Sequence, residues 1–145
     1  MSLVGALAIA AAVVLVAALA GILLRSRDGR RSSAPELRVA AEDIAPAAFA
    51  PVATLVQFST EVCARCPQVR RMLRDVADGY EQVEHAEIDL THRPDLATRY
   101  GVLQTPTVFV VDDAGEVRAR FHGVPPRAAI TLALAEFPVL APEHR

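Results

Sequence analysis

Apolar residues follow two rules along this chain, one as far as residue 24 and another beyond residue 36. Residues 3–24, LVGALAIAAAVVLVAALAGILL, carry no charge, no proline and no strongly polar side chain. At about 1.5 Å per residue, a helix of this length measures about 33 Å, enough to cross a bilayer core of about 30 Å. Farther on, apolar positions recur with strand and helix periods. Residues 36–40 give a weak strand signal, and residues 43–52, rich in Ala and Pro, give no clear period. Residues 53–58, ATLVQF, form a β-prone run of the kind found in a buried central strand. Val69, Met72, Leu73 and Val76 then fall at i, i+3, i+4 and i+7, an apolar helical stripe with Arg70, Arg71, Arg74 and Asp75 on its other faces. Gly79 suits the end of that helix.

A second β-prone run covers residues 83–90, and a short helix is predicted over 94–100, with Pro94 in its first turn and Gly101 after it. Residues 107–111, TVFVV, are the strongest strand in the chain. Asp112, Asp113, Ala114 and Gly115 read as a hairpin turn, and residues 116–122 as the alternating partner strand. A last helix is predicted over 127–137, with Ile130, Leu134 and Phe137 available for packing. The order is β-α-β-α-β-β-α, an α/β domain preceded by one apolar helix.

Two readings compete for residues 3–24. A secretory signal would have basic residues ahead of a shorter apolar core and a small-x-small cleavage site. Ala18-Leu19-Ala20 offers such a site, but the apolar run continues past it and no basic side chain precedes it. Length and flanks favour a retained anchor. Four arginines in seven residues follow at once, in Arg25-Ser26-Arg27-Asp28-Gly29-Arg30-Arg31. Positive charge beside a single span favours the cytoplasmic side, so a single-pass membrane protein with a cytoplasmic domain is expected; an extracytoplasmic domain is the alternative. The same cluster suits anionic lipid. Nucleic acid is disfavoured: the cluster is short and lacks aromatics, and from residue 35 onward 11 arginines face 16 acidic residues, a formal charge of −5. The expected organisation is an anchor at 1–24, a basic linker at 25–35, a domain at 36–140 and a tail at 141–145.

The two cysteines of the chain lie three apart, as Cys63-Ala64-Arg65-Cys66, between the first strong strand and the first amphipathic helix. A C-x-x-C at the mouth of a helix places two thiols within bonding reach, with the first exposed and easily ionised. Around it stand Leu55-Val56-Gln57-Phe58, Ile88-Asp89, Tyr100-Gly101-Val102, Thr105-Pro106-Thr107, Asp113 to Gly115, and Gly123. On these motifs the region from about residue 36 to 137 resembles the thioredoxin family.

That resemblance implies a thioredoxin-like fold, a central mixed sheet flanked by helices, with Pro106 cis beside the thiols. It implies a thiol–disulfide oxidoreductase acting on protein disulfide or dithiol substrates, with no metal or organic cofactor and with an upstream electron donor of unspecified identity. Cys63 is then the attacking thiolate, favoured by free N–H groups and the dipole at the helix start, and Cys66 the resolving thiol. Val62, Thr105 and Pro106 would face the substrate. The family pattern is altered at three tuning positions: Val62 replaces a tryptophan, Ala64-Arg65 a Gly-Pro pair, and Gln57 a buried carboxylate. His85 stands where the family carries a lysine; it reads as a helper in proton transfer or as an ordinary strand-edge histidine. Arg65, Gln57 and His85 are therefore the candidate tuning residues.

Other readings of the motif stay open. A structural disulfide would close a very small loop and stabilise little, and would be out of place in a reducing cytoplasm. A zinc site would need two more ligands, and His85, His92, His122 and His144 include no H-x₃₋₅-H pair. A non-catalytic adaptor on the same fold, or an extracytoplasmic protein serving secreted or cytochrome-maturation substrates, are the functional alternatives.

Overall fold

Every residue of the strand Ala53–Ser59 is buried, so the apolar run there is continuous rather than alternating. In the computed structural model, which describes residues 3–25, 31–32 and 36–138, this strand is the third of the lettered elements α1 (Leu3–Arg25), β1 (Arg31–Ser32) and β2 (Ala53–Ser59). They are followed by α2 (Cys66–Ala77), β3 (Val83–Asp89), α3 (Pro94–Arg99), β4 (Thr107–Asp112), β5 (Val117–His122) and α4 (Arg127–Leu134). The sheet runs β1-β5-β4-β2-β3, with β2 parallel to β3 and antiparallel to β4. The parallel pair needs a crossover, and α2 supplies it.

Alternation then divides the core in two. Leu55, Val108, Val110, Ala119 and Phe121 face α2 and α4, meeting Val69, Leu73, Ile130 and Leu134. Val56, Phe58, Ile88, Phe109 and Val111 face the opposite way, against Leu96 and Tyr100 of the α3 region and Val39 and Ile44 of the segment before β2. A fully buried Leu or Phe here contributes about 1.5–3 kcal/mol. That segment contains a 3₁₀ turn (Ala41–Asp43) and a cis Ala45–Pro46 bond. It is fastened to Tyr100, whose hydroxyl donates to Asp43 at 2.5 Å and accepts the Ala40 N–H at 3.0 Å.

The weak strand expected at 36–40 is an isolated bridge, Arg38 to Glu116, because the pairing there is broken after a single ladder contact. The last helix stops at Leu134, three residues short of the expected end, although Phe137 still packs into the core. Arg31 and Ser32, within the stretch read as linker, pair with β5 as an edge strand, Arg31 opposite Phe121 and Ser32 opposite Arg120. The tail at 141–145 and most of residues 26–35, including Arg27 and Arg30, lie outside the described residues.

Helix α1 keeps its apolar side chains exposed: over Val4–Leu23 the mean hydropathy is 2.8 and none of the segment is buried. A helix of that length and composition serves as a membrane span or as a signal sequence.

Candidate redox site

β2 delivers the chain to the carboxyl end of the sheet, and α2 carries it away. Between them a tight turn holds both cysteines: the Cys63 N–H donates to the Thr60 carbonyl at 3.1 Å, and the Cys66 N–H to the Cys63 carbonyl at 3.3 Å. The helix begins at Cys66, so Cys63 stands just ahead of its positive end rather than inside its first turn. Pro67 fits at this point because an N–H in the first turn has no intrahelical acceptor. Cys63 and Cys66 form a disulfide, with Cα atoms 5.5 Å apart. Cys66 is 1% exposed, whereas Cys63 is only half-buried.

The two flanks of the disulfide differ. On one, Cys63 shares a groove with Thr60, Val62, Arg65, Thr105 and Pro106. The Thr105–Pro106 bond is cis, and the Pro106 carbonyl accepts the N–H of Gly123 at 2.8 Å. The Thr60 and Thr105 hydroxyls meet at 3.3 Å across the groove floor. Val62 is 93% exposed. Hence Val62, Arg65, Thr105 and Pro106 line one groove with Cys63.

On the other flank lies a charged cleft that sequence reasoning missed. Ser59, Arg70 and Glu87 line it together with both cysteines. Arg70 grips Glu87 through two hydrogen bonds of 2.6 Å, and the Ser59 hydroxyl donates to the same carboxylate at 2.6 Å. Burial pushes the Glu87 carboxyl up, but the bonds from Arg70 and Ser59 outweigh it and leave the pKa below the ordinary value. The available signal was alternation: His85, Glu87 and Asp89 share one face of β3, and Glu87 pairs in register with Gln57. Nothing in the spacing alone brought Arg70 to that face.

Gln57, fully buried, sits directly behind Cys66. Its Nε2 donates to the Cys66 carbonyl at 3.0 Å, and its Oε1 meets His85 Nε2 at 3.1 Å. With the amide nitrogen committed to Cys66, the oxygen must accept, so His85 carries its proton on Nε2. Burial, and to a smaller degree Arg74 and Arg70, lower the His85 pKa to about 4 against an opposing pull from Glu87. The imidazole is therefore neutral near pH 7, one amide removed from the backbone of Cys66. Among the described residues no group of three or more His, Cys, Asp or Glu side chains is arranged to hold a metal ion.

Residues 42–136 match the thioredoxin family model. The chain is 33% identical over 76 residues to a thioredoxin of Streptomyces clavuligerus, covering 52% of this chain and 70% of that protein. It is 28% identical over 78 residues to a thioredoxin of Methanocaldococcus jannaschii, covering 53% and 86% respectively. Among solved structures, a mutant thioredoxin from Halobacterium salinarum superposes with a TM-score of 0.54 at 24% identity, over 62% of this chain and 78% of the other. A malarial protein does so with a TM-score of 0.53 at 15% identity, over 60% and 98%. These two likenesses establish the fold, a mixed sheet flanked by helices. With the disulfide at the head of α2 and the family match across the whole domain, the chain belongs to the thioredoxin family and is a thiol–disulfide oxidoreductase.

Proposed function

We propose that this protein is a membrane-tethered member of its family, with Cys63 as the nucleophile, Cys66 as the resolving thiol and residues 3–24 as the anchor. The observation that carries the reading is the asymmetry of the disulfide: Cys66 is closed in, whereas Cys63 opens onto the groove beside cis Pro106. A substrate sulfur can approach Cys63 alone.

In the reducing direction, the Cys63 thiolate attacks one sulfur of a substrate disulfide and the other sulfur leaves as thiolate. Cys66, as thiolate, then attacks Cys63 Sγ, releasing the second substrate thiolate and closing the Cys63–Cys66 bond. Two electrons and two protons pass to the substrate. The oxidising direction is the same sequence reversed. Thr105 and Pro106 form the wall against which an extended substrate segment lies, with Val62 touching it from the opposite rim. Arg65 lends positive charge near Cys63, and Gln57 with His85 holds the carbonyl of Cys66 in a neutral environment. The arginines at 25–31 support a domain on the cytoplasmic side.

Reduction of a protein disulfide by the full chain in detergent, with a chemical dithiol as electron source, tests the catalytic assignment. Cys63→Ser is expected to abolish it, and Cys66→Ser to accumulate a mixed disulfide through Cys63. A native rate no faster than that of the dithiol alone, and unchanged in Cys63→Ser, would leave the domain as a binding module.

A further inference from the structure

The register of β1 decides which end of the domain lies nearest α1. β1 is antiparallel to β5, with Arg31 opposite Phe121. β5 ends at His122, opposite Thr107 at the start of β4, and Gly123 beyond it lines the Cys63 groove. The chain therefore joins the sheet at its redox end and runs away from it. The Val117 N–H donates to the Leu37 carbonyl at 2.9 Å, and Arg38 bridges Glu116, both at the far end of β5. A two-pronged ion pair from Arg31 to Glu136, just past α4, adds a second fastening.

Only residues 26–30 separate α1 from Arg31. Six Cα steps reach at most about 22 Å. A domain of about 100 residues has a radius of gyration of about 13 Å, and is roughly 33 Å across as a sphere. The tether is shorter than the domain, so the body of the domain cannot lie between α1 and Arg31. Laterally, β1 is three strand spacings from β2, about 14 Å. Adding tether and sheet, Gln57 of β2, in the same lateral row as Arg31, lies within about 36 Å of the end of α1, and Cys63 follows six residues on.

Resting on the reading of α1 as a membrane anchor, we infer that the substrate is a cysteine pair carried close to the bilayer surface by another membrane protein. The redox end is the membrane-proximal end of the domain. Two large apolar side chains flank the groove there: Val62 and Leu103, each 93% exposed. Gln104, next to Leu103, lines the groove itself. An apolar juxtamembrane segment on either side of the partner's cysteines complements them. Chemistry follows the exchange above, with the reduced Cys63/Cys66 pair giving two electrons and two protons to the partner's disulfide.

The test uses the full chain, reduced beforehand, in phosphatidylcholine vesicles with one of two single-span peptides. One carries a disulfide-bonded cysteine pair five residues from its span. The other carries the same pair on a 50-residue helical stalk, about 75 Å above the span. The native chain is expected to reduce the near-surface pair at least about tenfold faster, since the stalked pair lies beyond its reach. A 60-residue Gly/Ser insertion between Asp28 and Gly29 is expected to bring the two rates within about twofold, the longer tether now spanning the gap. Equal rates for both peptides with the native tether would overturn the inference. Carbonate washing keeps the two readings apart: a chain stripped from the vesicles overturns the anchor, whereas a chain that stays and shows no preference overturns only the choice of substrate. Reduction of a soluble peptide disulfide confirms in each case that the thiols are active.

Discussion

At position 57 an amide occupies the buried site behind the resolving cysteine, and it reaches both the Cys66 carbonyl and His85. His85 has a pKa lowered from 6.5 to about 4. As pH falls through that window, the unfolded chain takes up the proton first, so stability declines from about pH 6.5 and is fully present above it. The effect is at most on the order of 3 kcal/mol. Urea unfolding of the oxidised protein at pH 7 and pH 4.5 is expected to show the decline, and His85→Gln to flatten it; an equal decline in the variant would refute the assignment. Glu87 acts lower on the scale: its depressed pKa gives stability that is present above its ordinary value of 4.5 and lost as pH drops through the folded value. Gln57→Ala leaves both the Cys66 carbonyl and the His85 N–H without their partner, and is expected to cost about 1–3 kcal/mol in the same measurement. Gln57 and His85 were legible as unusual residues from their places in the motif. That they touch was not, because it depends on strand register, a tertiary fact: Leu55 stands opposite His85 and Gln57 opposite Glu87, which leaves His85 diagonal to Gln57 on one face.

The elements with strong patterns are the ones the sequence located well. β2, β4, β5 and α2 each bury a complete face, and burial is what writes periodicity into a sequence. β1 and the strap after it show no apolar period: they hold to β5 through backbone pairing, with Val39 the buried apolar side chain of the strap and Arg31 and Arg38 reaching Glu136 and the Ala114 carbonyl. The hairpin between β4 and β5 shows the two effects together. Asp112 Oδ1 accepts the N–H groups of Ala114 and Glu116, and Gly115 takes φ +83°, both readable from turn chemistry. The strap lies against the same glycine: a Cβ there would stand 2.6 Å from the Val39 carbonyl oxygen. Gly115→Ala is therefore expected to destabilise by more than the about 1 kcal/mol of a left-handed alanine alone. A smaller shift in the urea midpoint would mean that the strap yields readily.

For the molecule as a whole, the decisive variable is how a short tether couples an apolar helix to one end of a sheet. The full chain is expected to float with vesicles after carbonate treatment, and a chain starting at residue 25 to stay in the soluble fraction. In intact cells, a membrane-impermeant maleimide is expected to leave reduced Cys63 unlabelled until the cells are permeabilised. Labelling before permeabilisation would place the domain outside the cytoplasm.

The sequence alone determined the apolar run of residues 3–24, the α/β order and the cysteine pair, whereas the place of Pro106 beside that pair was implied by the family resemblance. Uniform apolarity, strand and helix periods and a fixed C-x-x-C spacing are local properties of a chain. Only the tertiary structure decided that Glu87, Arg70 and Ser59 form a charged wall beside the pair, and that the chain enters the sheet at its redox end. Each of these depends on register and on which strands become neighbours. Those relations arise from packing between distant segments, and no local pattern records them.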